Sequence, residues 1–245
     1  MIDTHSHILP GIDDGSKNFE TSIAMLKQAE IAGVTDIVLT PHYLKGTKYS
    51  NGNVKKYELY QELKKRAEEA GIKVNLYIGN EIYVDADLPK MLAGYVGEKS
   101  DLMYEISTLN STKYYLVELP VHAEDKSAKS TLMATVKMGF IPVIAHPERY
   151  FYVQDNMEIL NDYLAMGCLL QGEILTVTGK YGKREEKTFK KLLLDGKIFC
   201  LASDAHKPED YDFTVAMKKL QKIVRDPAKL EELLVTNPGK IISGK

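Results

Sequence analysis

Apolar residues along this chain gather in seven short runs, separated by longer stretches in which they recur every three or four positions. The runs are MIDTHSH from Met1, DIVLTPH from Asp36, VNLYIGNEI from Val74, YYLVELP from Tyr114, IPVIAHPER from Ile141, CLLQGEI from Cys168 and IFCLASDAH from Ile198. They are rich in β-branched and aliphatic residues, which predicts strands. The stretches between them predict helices over 18–32, 54–70, 127–138, 157–166, 185–194 and 213–224. In the first helix the apolar stripe is read as Phe19, Ile23, Leu26, Ala29 and Ile31, with Gly33 as its stop.

Several helices end alike, in a glycine just before the next run: Gly33, Gly71, Gly139, Gly167 and Gly196. A glycine that closes a helix and feeds a strand is the loop chemistry of repeated β/α units. No linker-like stretch divides the chain, so residues 1–245 are expected to form one domain. Because the runs are continuously apolar rather than alternating, the sheet should be parallel and covered on both faces. The expected fold is therefore α/β, with a β/α barrel favoured over an open parallel sheet.

Composition narrows the function. Hydrophobic residues at 44% and charged residues at 27% are ordinary for a soluble globular protein. The formal charge is -2 and no basic run is longer than a few residues, so the electrostatic footprint of a nucleic-acid-binding protein is absent. No apolar run approaches the roughly 18 residues of a spanning helix, and the first residues lack a secretory pattern, which predicts a cytoplasmic protein without membrane insertion. Cys168 and Cys200 lie inside apolar runs and are read as buried, reduced thiols.

The polar residues are where the chemistry lies. The first run ends in His5 and His7, the second in His42, the third in Glu81, the fourth in Glu118, the fifth in His146 and the seventh in Asp204 and His206; the sixth ends in the weaker Gln171 or Glu173. Alternation along a strand sends His5 and His7 to the same face. Asp14 follows in the turn IDDG, which Gly15 permits. Metal-binding side chains thus end six of seven expected strands, the place where β/α folds build active sites. Only His122 among the six histidines falls outside the set.

Five imidazoles and four carboxylates without a thiolate suit Mn²⁺, Fe²⁺ or Zn²⁺. Nine donors exceed what one ion can use, which points to roughly two or three divalent ions, a cluster suited to clamping a phosphoryl group and generating hydroxide. Arg149, three residues beyond His146, has the planar fork to hold phosphate oxygens.

The ordered motifs HSH, TPH, a strand-end glutamate, AHPER and SDAH resemble the PHP (polymerase and histidinol phosphatase) family of metal-dependent phosphoesterases. Within it, DTHSHILPGIDDG, GNEIY, YYLVELP, PVIAHPERY and LASDAH are most similar to the bacterial protein-tyrosine phosphatases of capsule and exopolysaccharide synthesis, the CpsB/YwqE type. The resemblance implies a distorted seven-stranded β/α barrel, a trinuclear site usually active with Mn²⁺, and a cytoplasmic tyrosine kinase of polysaccharide synthesis as the phosphotyrosine-bearing partner. It also implies ligand sets: His5, His7, Asp204 and a bridging Glu81; Glu81, Glu118 and His146; Asp14, His42 and His206. Arg149 and Asp204 would serve catalysis, with a hydroxide made at the ions attacking phosphorus. Two features depart from the family pattern. No second arginine follows SDAH, leaving Lys207 as the nearest cation for phosphate, and Glu173 stands where relatives tend to carry Asn or Ser. The competing readings are a small-molecule enzyme such as histidinol-phosphate phosphatase and a metal-loaded regulatory module without turnover.

Overall fold

A computed structural model describes residues 1–93 and 105–245. Nine short parallel strands are seen among them: β1 (Ile2–Ser6), β2 (Asp36–Leu39), β3 (His42–Tyr43), β4 (Asn75–Ile78), β5 (Glu81–Tyr83), β6 (Tyr114–Glu118), β7 (Ile141–Ala145), β8 (Leu169–Glu173) and β9 (Cys200–Ala202). The main helices between them are α1 (Phe19–Ile31), α2 (Asn53–Glu69), α3 (Leu88–Ala93), α4 (Lys126–Lys137), α5 (Phe151–Asp155), α6 (Ile159–Ala165), α7 (Lys183–Leu194) and α8 (Thr214–Val224), followed by α9 (Pro227–Glu231) and α10 (Asn237–Ser243).

The strands pair as β1-β2-β4 and as β3-β5-β6-β7-β8-β9. A parallel bridge between Ser6 and Ala205 joins the end of β1 to the residues after β9. The neighbours therefore follow one another in a ring, in two hydrogen-bonded pieces. The interruption has a local cause. The second and third apolar runs each break into two strands, at Thr40–Pro41, where proline offers no N–H to a ladder, and at Gly79–Asn80. Asn80 bridges the break, its Nδ2 donating to Pro41 O at 2.9 Å.

Strands β2, β6, β7 and β9 each feed two cores, as period-2 geometry requires. Ile37, Leu39, Tyr115, Val117, Ile144 and Leu201 pack outward under the helices. Their neighbours Val38, Leu116, Val143, Ala145 and Cys200 form a second cluster with Leu109 and with Ile241 of α10. Both cysteines are buried and unpaired, and burial pushes each thiol up to about 12.

Gly33, Gly71, Gly139, Gly167 and Gly196 all take positive φ at helix ends, as the αβ-loop reading requires. The stripe assigned to α1 needs correction. Leu26 and Ala29 are buried and Phe19 and Ile23 pack partly buried against the core, but Ser22 and Met25 complete the buried face and Ile31 is 77% exposed. Ser22 is buried although polar because its hydroxyl donates to Ile8 O at 2.6 Å, tying α1 to the segment after β1. Among the described residues no helix is long and apolar enough to cross a membrane.

Candidate metal centre

The centre is assembled at the C-terminal ends of the strands. His5 and His7 leave β1 on one face, while Ser6 between them turns away to donate to Val38 O at 3.0 Å. The IDDG turn then folds back so closely that a Cβ on Gly15 would overlap the carbonyl oxygen and Cβ of His7. Only glycine fits there. This return brings Asp13 Oδ2 to 2.8 Å from His7 Nδ1 and to 3.1 Å from the donating backbone N of His42. On the other side, His5 Nδ1 lies 2.8 Å from Gln171 Oε1. With both Nδ1 atoms engaged outside, the two Nε2 atoms turn inward and sit 3.1 Å apart.

Two further strand ends carry backbone strain. His146 has φ 32° and Asp204 has φ 50°, left-handed conformations that cost free energy for residues other than glycine and concentrate at working sites. Both carry side chains into the cluster.

Asp204 Oδ1 lies 3.1 Å from both inward Nε2 atoms. Glu81 Oε2 is 3.4 Å from the same two atoms and 2.8 Å from His42 Nδ1, while its Oε1 is 2.9 Å from His146 Nε2. Asp14 Oδ1 stands 3.3 Å from His42 Nε2 and 3.6 Å from His206 Nε2. Glu81 Oε2 and Asp204 Oδ1 are buried without a hydrogen-bond partner. So many converging lone pairs need positive charge among them, and a nitrogen and oxygen donor set fits borderline or hard divalent ions.

Three groups could each hold an ion: His5, His7, Glu81 and Asp204; His7, Asp14, His42 and His206; and His42, Glu81 and Glu118. Eight of the nine expected donors fall in these groups; His146 falls in none, and His7 and His42 each join a second group. His42 also faces Glu81 and Glu118, and His146 meets Glu81 closely but stands 3.9 Å from Glu118 Oε1. Lys207 is exposed and makes no ion pair with the cluster among the described residues. Lys180 is the lysine that pairs with Asp210, at 2.7 Å, and Asp210 in turn accepts the backbone N–H of His206 at 3.0 Å. His122 lies apart, with its ring against Phe151.

Sequence reasoning missed Asp13 and undervalued Gln171. Both orient ligand imidazoles from outside, and the available signal was the doubled aspartate in IDDG together with an amide at the end of an apolar strand.

The electrostatics have a measurable consequence. Burial opposes charging of these imidazoles, but the carboxylates outweigh it: Glu81 and Asp204 raise His5, Asp13 raises His7 well above its ordinary range, and Glu81 raises His42 to about 10. Glu118, through burial and the neighbouring Glu81, is pushed up to about 8. At pH 7 the metal-free centre therefore holds protons that divalent ions must displace. Calorimetric titration with Mn²⁺ at pH 7 is expected to give enthalpies that differ between buffers of different ionisation heat, with affinity falling as pH falls. Buffer-independent enthalpies would contradict this.

Fold and site together define a class: a parallel α/β protein with a buried cluster of imidazoles and carboxylates, suited to divalent ions, at its strand ends. The chain belongs to the family described as capsular polysaccharide synthesis, CpsB/CapC, which matches residues 1–243. It is 32% identical to the tyrosine-protein phosphatase CpsB of Streptococcus pneumoniae, covering 99% of this chain and 98% of that protein. Identity to the tyrosine-protein phosphatase YwqE of Bacillus subtilis is also 32%, over 87% of this chain and 80% of that one. The structure superposes with TM-score 0.89 and 29% identity, over 100% of this chain and 95% of the other, on a crystal structure from work on YwqE and CpsB as "unique metal-dependent tyrosine phosphatases". An organophosphorus hydrolase from Deinococcus radiodurans, with TM-score 0.56 at 12% identity over 98% of this chain and 92% of that one, shares the fold alone.

Proposed function

We propose that this chain is a metal-dependent protein-tyrosine phosphatase, acting in the cytoplasm on the phosphotyrosines of a bacterial tyrosine kinase of polysaccharide synthesis. The observation that carries the reading is Arg149 set beside the cluster, its NH1 2.8 Å from Asp204 Oδ2 while Asp204 Oδ1 faces His5 and His7. One carboxylate thereby links a phosphate-binding cation to the proposed ion site.

His5, His7, Asp14, His42, Glu81, Glu118, Asp204 and His206 would hold two or three divalent ions, Mn²⁺ foremost, in the three groups their atoms form, with His146 added through its contact with Glu81 Oε1. Such ions, when bound, polarise phosphoryl oxygens and lower the pKa of water. The protein supplies the rest. Arg149 pairs through NH1 with Asp204 and through NH2 with Glu173, and offers its remaining N–H groups to non-bridging oxygens, whose charge it offsets in the transition state. Asp204 is held well below the usual carboxylate range because His5, His7 and Arg149 outweigh its burial. It therefore stays an anionic anchor and is a weak proton acceptor. The tyrosine leaving group, with a pKa of about 10, departs more readily than an alkyl alcohol and needs little protonation. No thiol takes part, so turnover in a Cys168→Ser, Cys200→Ser double variant is expected to stay within about threefold of wild type; collapse of activity in the folded variant would overturn the mechanism.

The same centre could serve a small-molecule phosphomonoesterase. Initial rates on a phosphotyrosine peptide and on histidinol phosphate, measured with the Mn²⁺-loaded protein, separate the two. The proposal expects the peptide to win by orders of magnitude in kcat/KM, and preference for histidinol phosphate would refute it. Peptide binding without phosphate release would instead support a regulatory module.

A further inference from the structure

Arg149 is held from three sides. NH1 donates to Asp204 Oδ2 at 2.8 Å, NH2 pairs with Glu173 Oε2 at 3.1 Å, and the guanidinium carbon lies 4.2 Å from the centre of the Tyr181 ring. Glu173 is 2% exposed, and among the described residues Arg149 is the only cation it pairs with. A carboxylate beside a phosphate site is an unfavourable choice for binding the anion itself, because like charges repel. It is also costly to bury unless its partner is fixed.

The partner is fixed. The backbone N of Glu173 donates to Glu148 Oε1 at 2.8 Å, and Thr176 Oγ1 lies 3.1 Å from the same oxygen. Glu148 immediately precedes Arg149 in the turn Pro147–Arg149, so the end of β8 and the Arg149 turn are tied by backbone as well as by side chain. Two carboxylates in different directions and a ring against the guanidinium leave that group little rotational freedom.

We propose that Glu173 and Tyr181 are positioning residues that fix the guanidinium plane of Arg149, so that its remaining N–H groups are presented toward the metal-ligand cluster. The inference rests on the phosphatase reading given above. Glu173 acts through Arg149 rather than on substrate. The acceptor oxygen rather than the charge does the holding, so an amide that keeps that oxygen serves nearly as well. The Tyr181 ring supplies the platform, and its side chain also meets Glu173.

The test is a double-mutant cycle on the Mn²⁺-loaded protein with two readouts: kcat and KM on a phosphotyrosine peptide, and the affinity for inorganic phosphate by calorimetry. Glu173→Leu is expected to lower kcat/KM and to weaken phosphate binding by about 10- to 100-fold, the range typical of groups that orient a working residue from outside. Glu173→Gln should restore most of both. In an Arg149→Ala background, Glu173→Leu should cause no further loss, because the residue it positions is gone. Equal losses in both backgrounds, or a Gln variant no better than Leu, would overturn the inference. A wild-type protein inactive on the peptide would refute the phosphatase reading alone, since the phosphate affinities still decide the role of Glu173.

Discussion

Replacing Glu81 by glutamine is expected to leave the chain folded but short of at least one ion, with turnover reduced by about 1,000-fold or more, beyond the 10- to 100-fold typical of changes outside the ligand shell. The reason is position. Glu81 Oε2 lies within 3.4 Å of both inward nitrogens of His5 and His7 and 2.8 Å from His42 Nδ1, and its other oxygen is 2.9 Å from His146 Nε2. It belongs to two of the three candidate ion groups, so it can bridge them. Glutamine keeps the shape, removes the charge and replaces one acceptor oxygen with a donor that would point at imidazole nitrogens. Elemental analysis of the purified variant beside wild type reads the loss directly. A variant with a full complement of ions and near-normal kcat would remove Glu81 from the centre.

Arg149→Ala is expected to lower kcat/KM on a phosphotyrosine peptide by about 100- to 1,000-fold, the usual cost of deleting one donor aimed at developing charge. Ion content should not change, because Arg149 donates to the outer oxygen of Asp204 while Oδ1 remains directed at His5 and His7. Arg149→Lys should recover only part of the loss, since a single ammonium lacks the planar fork that reaches two acceptors at once. Removing the guanidinium also takes from buried Glu173 the only cation it pairs with among the described residues. Some thermal stability should be lost with activity, and the lysine variant separates the two effects. Turnover within a few-fold of wild type in Arg149→Ala would end the phosphate-binding assignment.

The site was legible in the sequence to an unusual degree because its ligands sit at strand ends, and strand ends are marked by apolar runs. His5 and His7 could be placed on one face from strand alternation alone. Their surroundings were less legible. Asp13 and Asp14 are adjacent in IDDG, and only the close approach of Gly15 to His7 decides that Asp13 binds the His7 ring from outside while Asp14 faces His42 and His206. Gln171 reads as a weak strand end until its contact with His5 Nδ1 is seen. The breaks at Thr40–Pro41 and Gly79–Asn80 were hidden inside apolar runs that look continuous, although they set where His42 and Glu81 stand. In α1, apolar spacing missed Ser22 because a buried hydroxyl with a satisfied hydrogen bond leaves no mark in a hydrophobic pattern. Glu173 was noticed as a departure and gains a physical account only from its pairing with Arg149.

The central claim is that this chain hydrolyses phosphotyrosine with ions held by its strand-end histidines and carboxylates. The most direct measurement strips the purified protein with a chelator, verifies metal loss by elemental analysis, reloads with Mn²⁺ in steps, and follows phosphate release from a phosphotyrosine peptide. The account predicts no turnover in the stripped protein and recovery that tracks bound Mn²⁺ until the cluster is filled. Unchanged turnover in protein shown to be free of metal would contradict it.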